Sequence, residues 1–302
     1  MKSFQGKTAV ITGAASGFGL ETSRLAAQAG MNVVMADVQQ DALDRAAANV
    51  QALGAQVLAF RIDVSKGEQV EAMGRATFER FGAPHLVFNN AGVSAGGLIW
   101  EHTQKDWEWV IGVNLMGVAH GIRVFVPMML DAAKKDASYE GHIVNTASMA
   151  GLVNMPNMAS YNVTKQGVVS MSETLYQDLS LVTDQIHCSV LCPFFVPTGI
   201  HNSERNRPAE MTEQLKPTKS QLIAKALGEK AVSSGKLTAA QIAQMVMDAV
   251  ASNKFYIYSH PHALGAVQTR LEDIMQARNP SDPFKDRPQI GQSLRDSIRS
   301  AN

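Results

Sequence analysis

Residues 12–19 read T-G-A-A-S-G-F-G, preceded by the apolar run K-T-A-V-I at 7–11 and followed by a helix-like stretch from Leu20 to Ala29. Gly13, Gly17 and Gly19 therefore fall at a strand-to-helix turn, with Ser16 and Phe18 between them. Glycine at such a turn allows a tight path and lets main chain approach a pyrophosphate. The unpaired N–H groups and partial positive charge of the helix start then attract phosphate. A second apolar run, N-V-V-M-A at 32–36, ends at Asp37, eighteen residues after Gly19. A ribose-binding acid is expected at about that distance. The plainer alternative is a glycine-rich turn with no ligand; strand, helix, second strand and acid in this order weigh against it.

Working outward, short apolar runs predict strands at 7–12, 32–36, 56–60, 85–89, 142–147, 187–192 and 254–258. Helical stretches separate most of them, at 18–29, 40–53, 67–81, 105–131, 160–182 and 238–252. This alternation predicts an α/β fold: a Rossmann-type doubly wound parallel sheet of about seven strands with helices on both faces. Ligands of open parallel sheets bind at the C-terminal ends of the strands. Gly13, Asp37, Asn90, Ser148 and Pro193 all stand at such ends.

The run Y-N-V-T-K puts Tyr161 and Lys165 four apart, on one helix face, with Ser148 thirteen residues before the tyrosine. An unperturbed phenol titrates near ~10 and is a poor base at neutral pH. A neighbouring ammonium favours the phenolate. Alone, a Tyr–Lys pair at this spacing is a weak signal.

Together these pieces resemble the short-chain dehydrogenases/reductases, in their compact branch, over about residues 5–260. The matching motifs stand in family order: T-G-A-A-S-G-F-G from Thr12, D-V at Asp63 and Val64, N-N-A-G from Asn89 through Asn90 to Gly92, Asn114 in G-V-N-L, Ser148 in N-T-A-S, Y-N-V-T-K from Tyr161, and P-F-F-V-P-T from Pro193 through Val196 to Thr198. One position departs: Phe194 follows Pro193 where the family usually has glycine. The resemblance implies reversible hydride transfer. Tyr161 is then the general acid/base, Lys165 lowers its pKa and holds ribose hydroxyls, and Ser148 hydrogen-bonds the substrate oxygen. Asn114 orders a water in a proton relay, and Thr198 meets the nicotinamide carboxamide. A satisfied buried polar residue is the plainer reading of Asn114. Asp63 and Val64 would meet adenine.

Asp37 would accept from ribose hydroxyls and repel a 2′-phosphate. No basic residue follows it in Val38-Gln39-Gln40, and Ser16 occupies the place where NADP-preferring relatives often carry Arg or Lys. NAD is therefore expected over NADP. The alternatives left open are an NADPH-dependent ketone or oxoacyl reductase and a non-catalytic dinucleotide sensor.

With 45% hydrophobic and 18% charged residues in 302, the chain reads as an ordinary globular protein. A formal net charge of +0 gives no case for nucleic acid or anionic membrane. The start enters the first strand at once, without a signal peptide, so a cytoplasmic location is expected. Cys188 and Cys192, four apart on a strand rising about 3.3 Å per residue, are too far apart for a disulfide and read as reduced thiols. His260 and His262 have no further ligands nearby in sequence, and no metal is expected. Val110–Leu130 is apolar enough to suggest a membrane span, but it carries Asn114, His120, Arg123 and Pro127, so a buried or subunit-contact helix is expected.

By the resemblance, 1–260 form one catalytic domain with a substrate lid at about 199–237, and Leu215–Ala231 contain a helix. Residues 261–302 form an extension packed on the domain or a neighbouring subunit, extended around N-P-S-D-P-F, with a short helix at 290–298. Phe194, Phe195, Met149, Met155, Met158, Val153 and Leu98 are candidates for an apolar pocket. The expected substrate is a neutral hydrophobic secondary alcohol or ketone, aromatic, alicyclic, terpenoid or steroid-like. Helices 105–131 and 160–182 resemble those of the family's dimer contact, so a homodimer or homotetramer is expected.

Overall fold

The computed structural model describes residues 1–213 and 216–300. Seven parallel strands run in the order β3-β2-β1-β4-β5-β6-β7. They are β1 (Thr8–Thr12), β2 (Asn32–Asp37), β3 (Val57–Arg61), β4 (Leu86–Asn89), β5 (Gly141–Thr146), β6 (Ile186–Cys192) and β7 (Tyr256–Tyr258). Every expected strand is present, its ends shifted by two residues at most. The chain winds outward from β1 to β3, then crosses back to lay β4 against β1. That reversal opens a crevice between the C-terminal ends of β1 and β4.

Alternation along the strands fills both faces. Ala9 and Ile11 of β1 turn to one side with Ala26 of α1 (Gly17–Gln28), Leu43 of α2 (Gln40–Gln51) and Val246 of α8 (Ala239–Ser252). Val10 turns to the other side. There it joins Met73 of α3 (Gly67–Phe81), Phe125 of α5 (Gly117–Lys135) and Leu175 of α6 (Ala159–Val182). The strands at the centre are apolar on both sides because helices cover both.

The helix expected over 105–131 is two helices joined by a π turn. These are α4 (Gln104–Ile111), the turn Gly112–Met116 around Asn114, and α5. Glycines bound the turn because side chains there would strike the β3–α3 connection. A Cβ on Gly117 would lie 2.7 Å from Val64 and one on Gly112 3.2 Å from Ser65. By length and composition this rod passes for a membrane span. Val118, Val124, Phe125 and Met129 are nonetheless buried in the protein.

Beyond β6 the chain forms short 3₁₀ turns at Gly199–Asn206 and Ala209–Met211, then α7 (Lys219–Ser233). The expected helix start at Leu215 lies outside the described residues. After β7 comes α9 (Leu264–Met275), which the sequence reading did not anticipate, and then α10 (Pro288–Arg299), about where a short helix was expected.

Candidate active site

The floor of the crevice is the glycine turn. Gly13 (φ +64) and Gly17 (φ +55) hold left-handed conformations that disfavour any side chain. Gly19 is required for space: a Cβ there would lie 2.2 Å from the Gly13 carbonyl oxygen. Ser16 precedes α1 in extended conformation, and its side chain makes no hydrogen bond to the first turn. Those leading N–H groups therefore lack a side-chain partner. Asp37, at the end of β2, accepts from Ala15 N–H (3.1 Å) and Gln39 N–H (3.0 Å). It thus ties the glycine turn to β2. A carboxylate has about four acceptor sites, so capacity remains for ribose hydroxyls.

Asn90 fastens three strand ends together. Its main-chain N–H donates to Thr12 Oγ1 (2.9 Å), its Nδ2 to Thr12 O (3.0 Å), and its Oδ1 accepts from Thr146 Oγ1 (3.3 Å). Asp63 closes a turn by accepting from Ser65 N–H (2.9 Å). Gly13, Ser16, Gly17, Phe18, Asp37, Asp63, Val64, Asn90, Gly92, Pro193, Val196 and Thr198 border one cavity of about 270 Å³, and Ser148, Tyr161 and Lys165 border the same cavity. Of the candidate cofactor and catalytic residues, Gly19 and Asn114 do not border it. Asn114 is fully buried. Its Oδ1 accepts from Val93 N–H (2.8 Å), and its Nδ2 donates to Val93 O (2.9 Å) and Thr164 Oγ1 (3.2 Å).

Ser148 follows β5, and its Oγ accepts from Ala150 N–H (3.1 Å). Tyr161 and Lys165 project from the first turns of α6. The Lys165 ammonium lies 5.6 Å from the centre of the Tyr161 ring and donates to Thr146 O (2.8 Å). Burial pulls Lys165 down to about 8. Burial also raises the Tyr161 phenol above its ordinary value, while the Ser148 hydroxyl pulls it the other way. The direction is therefore the reverse of that expected from the Tyr–Lys spacing alone. Burial outweighs the Ser148 hydrogen bond in the protein by itself.

A second, larger cavity of about 1400 Å³ adjoins the first under α7, α9 and α10. Met149, Val153, Met155, Met158, Phe194 and Phe195 line both. Leu98 lines neither; its N–H donates to Ser220 Oγ (2.9 Å) at the start of α7.

The segment after Thr198 crosses the crevice and is tied on both sides. Ser94 N–H donates to Ser203 Oγ (2.9 Å), and Gln39 Nε2 donates to Asn206 Oδ1. Arg207 is the strongest tie. Its Nη2 lies 2.8 Å from Asp106 Oδ1 of α4, with side chains only 9% and 12% exposed. The guanidinium sits 4.1 Å from the centre of the Trp109 ring, and Trp109 borders the smaller cavity. This latch was missed in the sequence, where its two charges stand 101 residues apart. A basic neighbour of Asp37 was missed as well. Arg61 pairs in register with Asp37 across β2 and β3, and its Nε donates to Val38 O (3.3 Å). It does not border the cavity, whereas Asp37 does.

The family model for short chain dehydrogenases matches residues 7–209. The chain belongs to this family. A crystal structure of a short chain dehydrogenase/reductase from Burkholderia phymatum in complex with NAD matches this short-chain dehydrogenase with a TM-score of 0.91 at 50% identity, covering 94% of this chain and 99% of that one. The "CLA biosynthesis dehydrogenase/reductase" of Lactiplantibacillus plantarum is 34% identical over 278 residues, 91% of this chain and 95% of its own. The "1-deoxy-11-beta-hydroxypentalenate dehydrogenase" of Streptomyces exfoliatus is 34% identical over 272 residues, 89% of either chain. This short-chain dehydrogenase is thus an oxidoreductase acting on alcohol and ketone groups. Its glycine turn, where a Cβ would fill the space, and the carboxylate of Asp37 fit a dinucleotide.

Proposed function

We propose that the protein catalyses reversible, NAD-linked interconversion of a bulky, neutral, hydrophobic secondary alcohol and its ketone. The observation that carries this reading is the adjoining of two cavities. The cavity holding Ser148, Tyr161 and Lys165 also holds the glycine turn and Asp37, and it shares an apolar wall with the much larger cavity. NAD when bound supplies the hydride acceptor. Ser148 Oγ holds the substrate oxygen as its charge changes. Tyr161 Oη takes the alcohol proton in oxidation and returns it in reduction. Lys165, buried and anchored on Thr146 O, offsets the negative charge that develops on the phenol. A relay through Asn114 would use its main-chain carbonyl in the π turn, since its amide is already engaged.

Asp37 supports NAD over NADP: it borders the cavity, while Arg61 bonds the Val38 carbonyl outside it. NAD in the Burkholderia phymatum relative agrees. The lid (199–237) and the extension (261–302) supply α7, α9 and α10 as the roof of the larger cavity. Exposed Met116 beside α5, with Val163, Tyr176, Leu181 and Val182 on α6, favours self-association through these helices. The test is a screen of bulky secondary alcohols with NAD and NADP, followed by absorbance of the reduced nicotinamide. Faster turnover with NAD is expected. Turnover only with NADP would overturn the cofactor reading, and no turnover of any alcohol or ketone would overturn the rest.

A further inference from the structure

The residues that line both cavities form a shared rim, here called the neck. Phe194 stands where the family usually has glycine, and the residue is 37% exposed although Pro193 and Val196 beside it are buried. It borders both cavities. The exposed surface therefore faces the passage a substrate must occupy once its carbinol reaches Tyr161 and Ser148.

The ring is also held in place. Its own main-chain N–H donates to Ser259 Oγ (2.9 Å). Ser259 Oγ lies 2.7 Å from His260 Nδ1. The His260 ring meets Phe194 edge-on at 5.8 Å, and His262 meets His260 edge-on at 5.5 Å. Phe195 flanks it at 4.5 Å. The residues just after β7 thus buttress an aromatic surface that a glycine would not offer. Met149, Met155 and Met158 line the same two cavities, and their thioethers are polarizable and adapt to flat rings.

Resting on the function proposed above, we infer that Phe194 is a specificity-determining residue and that the substrate carries a flat aromatic or conjugated group beside its carbinol carbon. A flat group in the neck can meet Phe194 offset-stacked or edge-to-face, and a puckered saturated ring of the same skeleton cannot. Such aromatic pairs contribute beyond area burial by an amount equal to about a 2- to 10-fold preference.

The probes are naphthyl methyl carbinol and its fully saturated decahydronaphthyl counterpart, with the two matching ketones. Calorimetric binding of the ketones to Tyr161→Phe protein loaded with NADH reads the neck without turnover. The aryl ketone is expected to bind more tightly by that factor. Phe194→Leu should erase the preference and Phe194→Tyr should keep it, each compared at saturating NADH. The ratio of kcat/KM for the two carbinols in otherwise wild-type protein should follow the same pattern. Equal binding of the two ketones, or a preference that survives Phe194→Leu, overturns the inference while leaving the alcohol dehydrogenase reading intact. Aryl-selective binding without oxidation of either carbinol upholds the role of Phe194 and counts against that reading instead.

Discussion

Replacing Arg207 with methionine should release the lid while sparing the sheet. The Arg207–Asp106 pair is almost wholly buried. Removing one partner of such a pair costs about 3–5 kcal/mol, because the other charge is left without compensation. Asp106 keeps the Thr103 N–H (3.0 Å), which places the loss near the lower end of that range. The contact with Glu204, which is 60% exposed, adds little. Methionine retains part of the packing on Trp109 but not the cation–π attraction. The sum, about 3–4 kcal/mol, corresponds to a lid-opening equilibrium raised roughly a hundred- to a thousand-fold. Arg207 packs on Trp109, which belongs to a small cluster apart from the two cores against the sheet faces, so the segment should open locally rather than carry the whole molecule with it. Hydrogen exchange over 199–213 should speed up by that factor, with the amides of β1, β4 and β5 unchanged. Stopped-flow release of NADH should accelerate in parallel. Lid protection altered by less than about threefold, or lost only together with that of the sheet, would refute this reasoning.

Gly19→Ala should lower the thermal midpoint and weaken NAD binding, since overpacking against the Gly13 carbonyl costs about 1–3 kcal/mol; unchanged NAD affinity by calorimetry would contradict the close approach. Asp37→Ser should shift cofactor preference toward NADP and loosen the glycine turn, as the acceptor for Ala15 and Gln39 is lost; the ratio of kcat/KM for the two cofactors reads it. His142, fully buried on β5, is pulled down to about 3 by burial. Its unfolded-state value is near ~6.5, so the unfolded chain takes up the proton first and stability falls as pH drops below that value. Between about pH 7 and pH 5 the expected loss is roughly 2 kcal/mol, and chemical denaturation of His142→Gln should show a correspondingly flatter pH dependence.

The strands were legible because each is a short apolar run bounded by polar or glycine punctuation, and buried parallel strands need nothing more. Fifteen of the seventeen candidate cofactor and catalytic residues border one cavity because they stand at strand ends, at the glycine turn or on the helix that follows β5. The break within 104–135 was hidden: a π turn changes one hydrogen bond, not the hydropathy, although Gly112 and Gly117 marked its ends. Helix α9 carried a signal that was passed over: Leu264, Val267, Leu271, Ile274 and Met275 recur at three- and four-residue spacing, and Leu264 and Val267 pack on a core cluster. The Arg207–Asp106 latch and the position of Arg61 beside Asp37 are products of tertiary pairing and had no local signal. The direction of the Tyr161 shift depended on how deeply the phenol is buried, which spacing alone does not reveal.

The most direct test is Tyr161→Phe, which removes one hydroxyl from the cavity and leaves the ring. Reduced nicotinamide should no longer form from a secondary alcohol that wild type oxidises, while the dissociation constant for NAD stays within about twofold. Oxidation continuing at a comparable rate would contradict the claim that this phenol carries the proton.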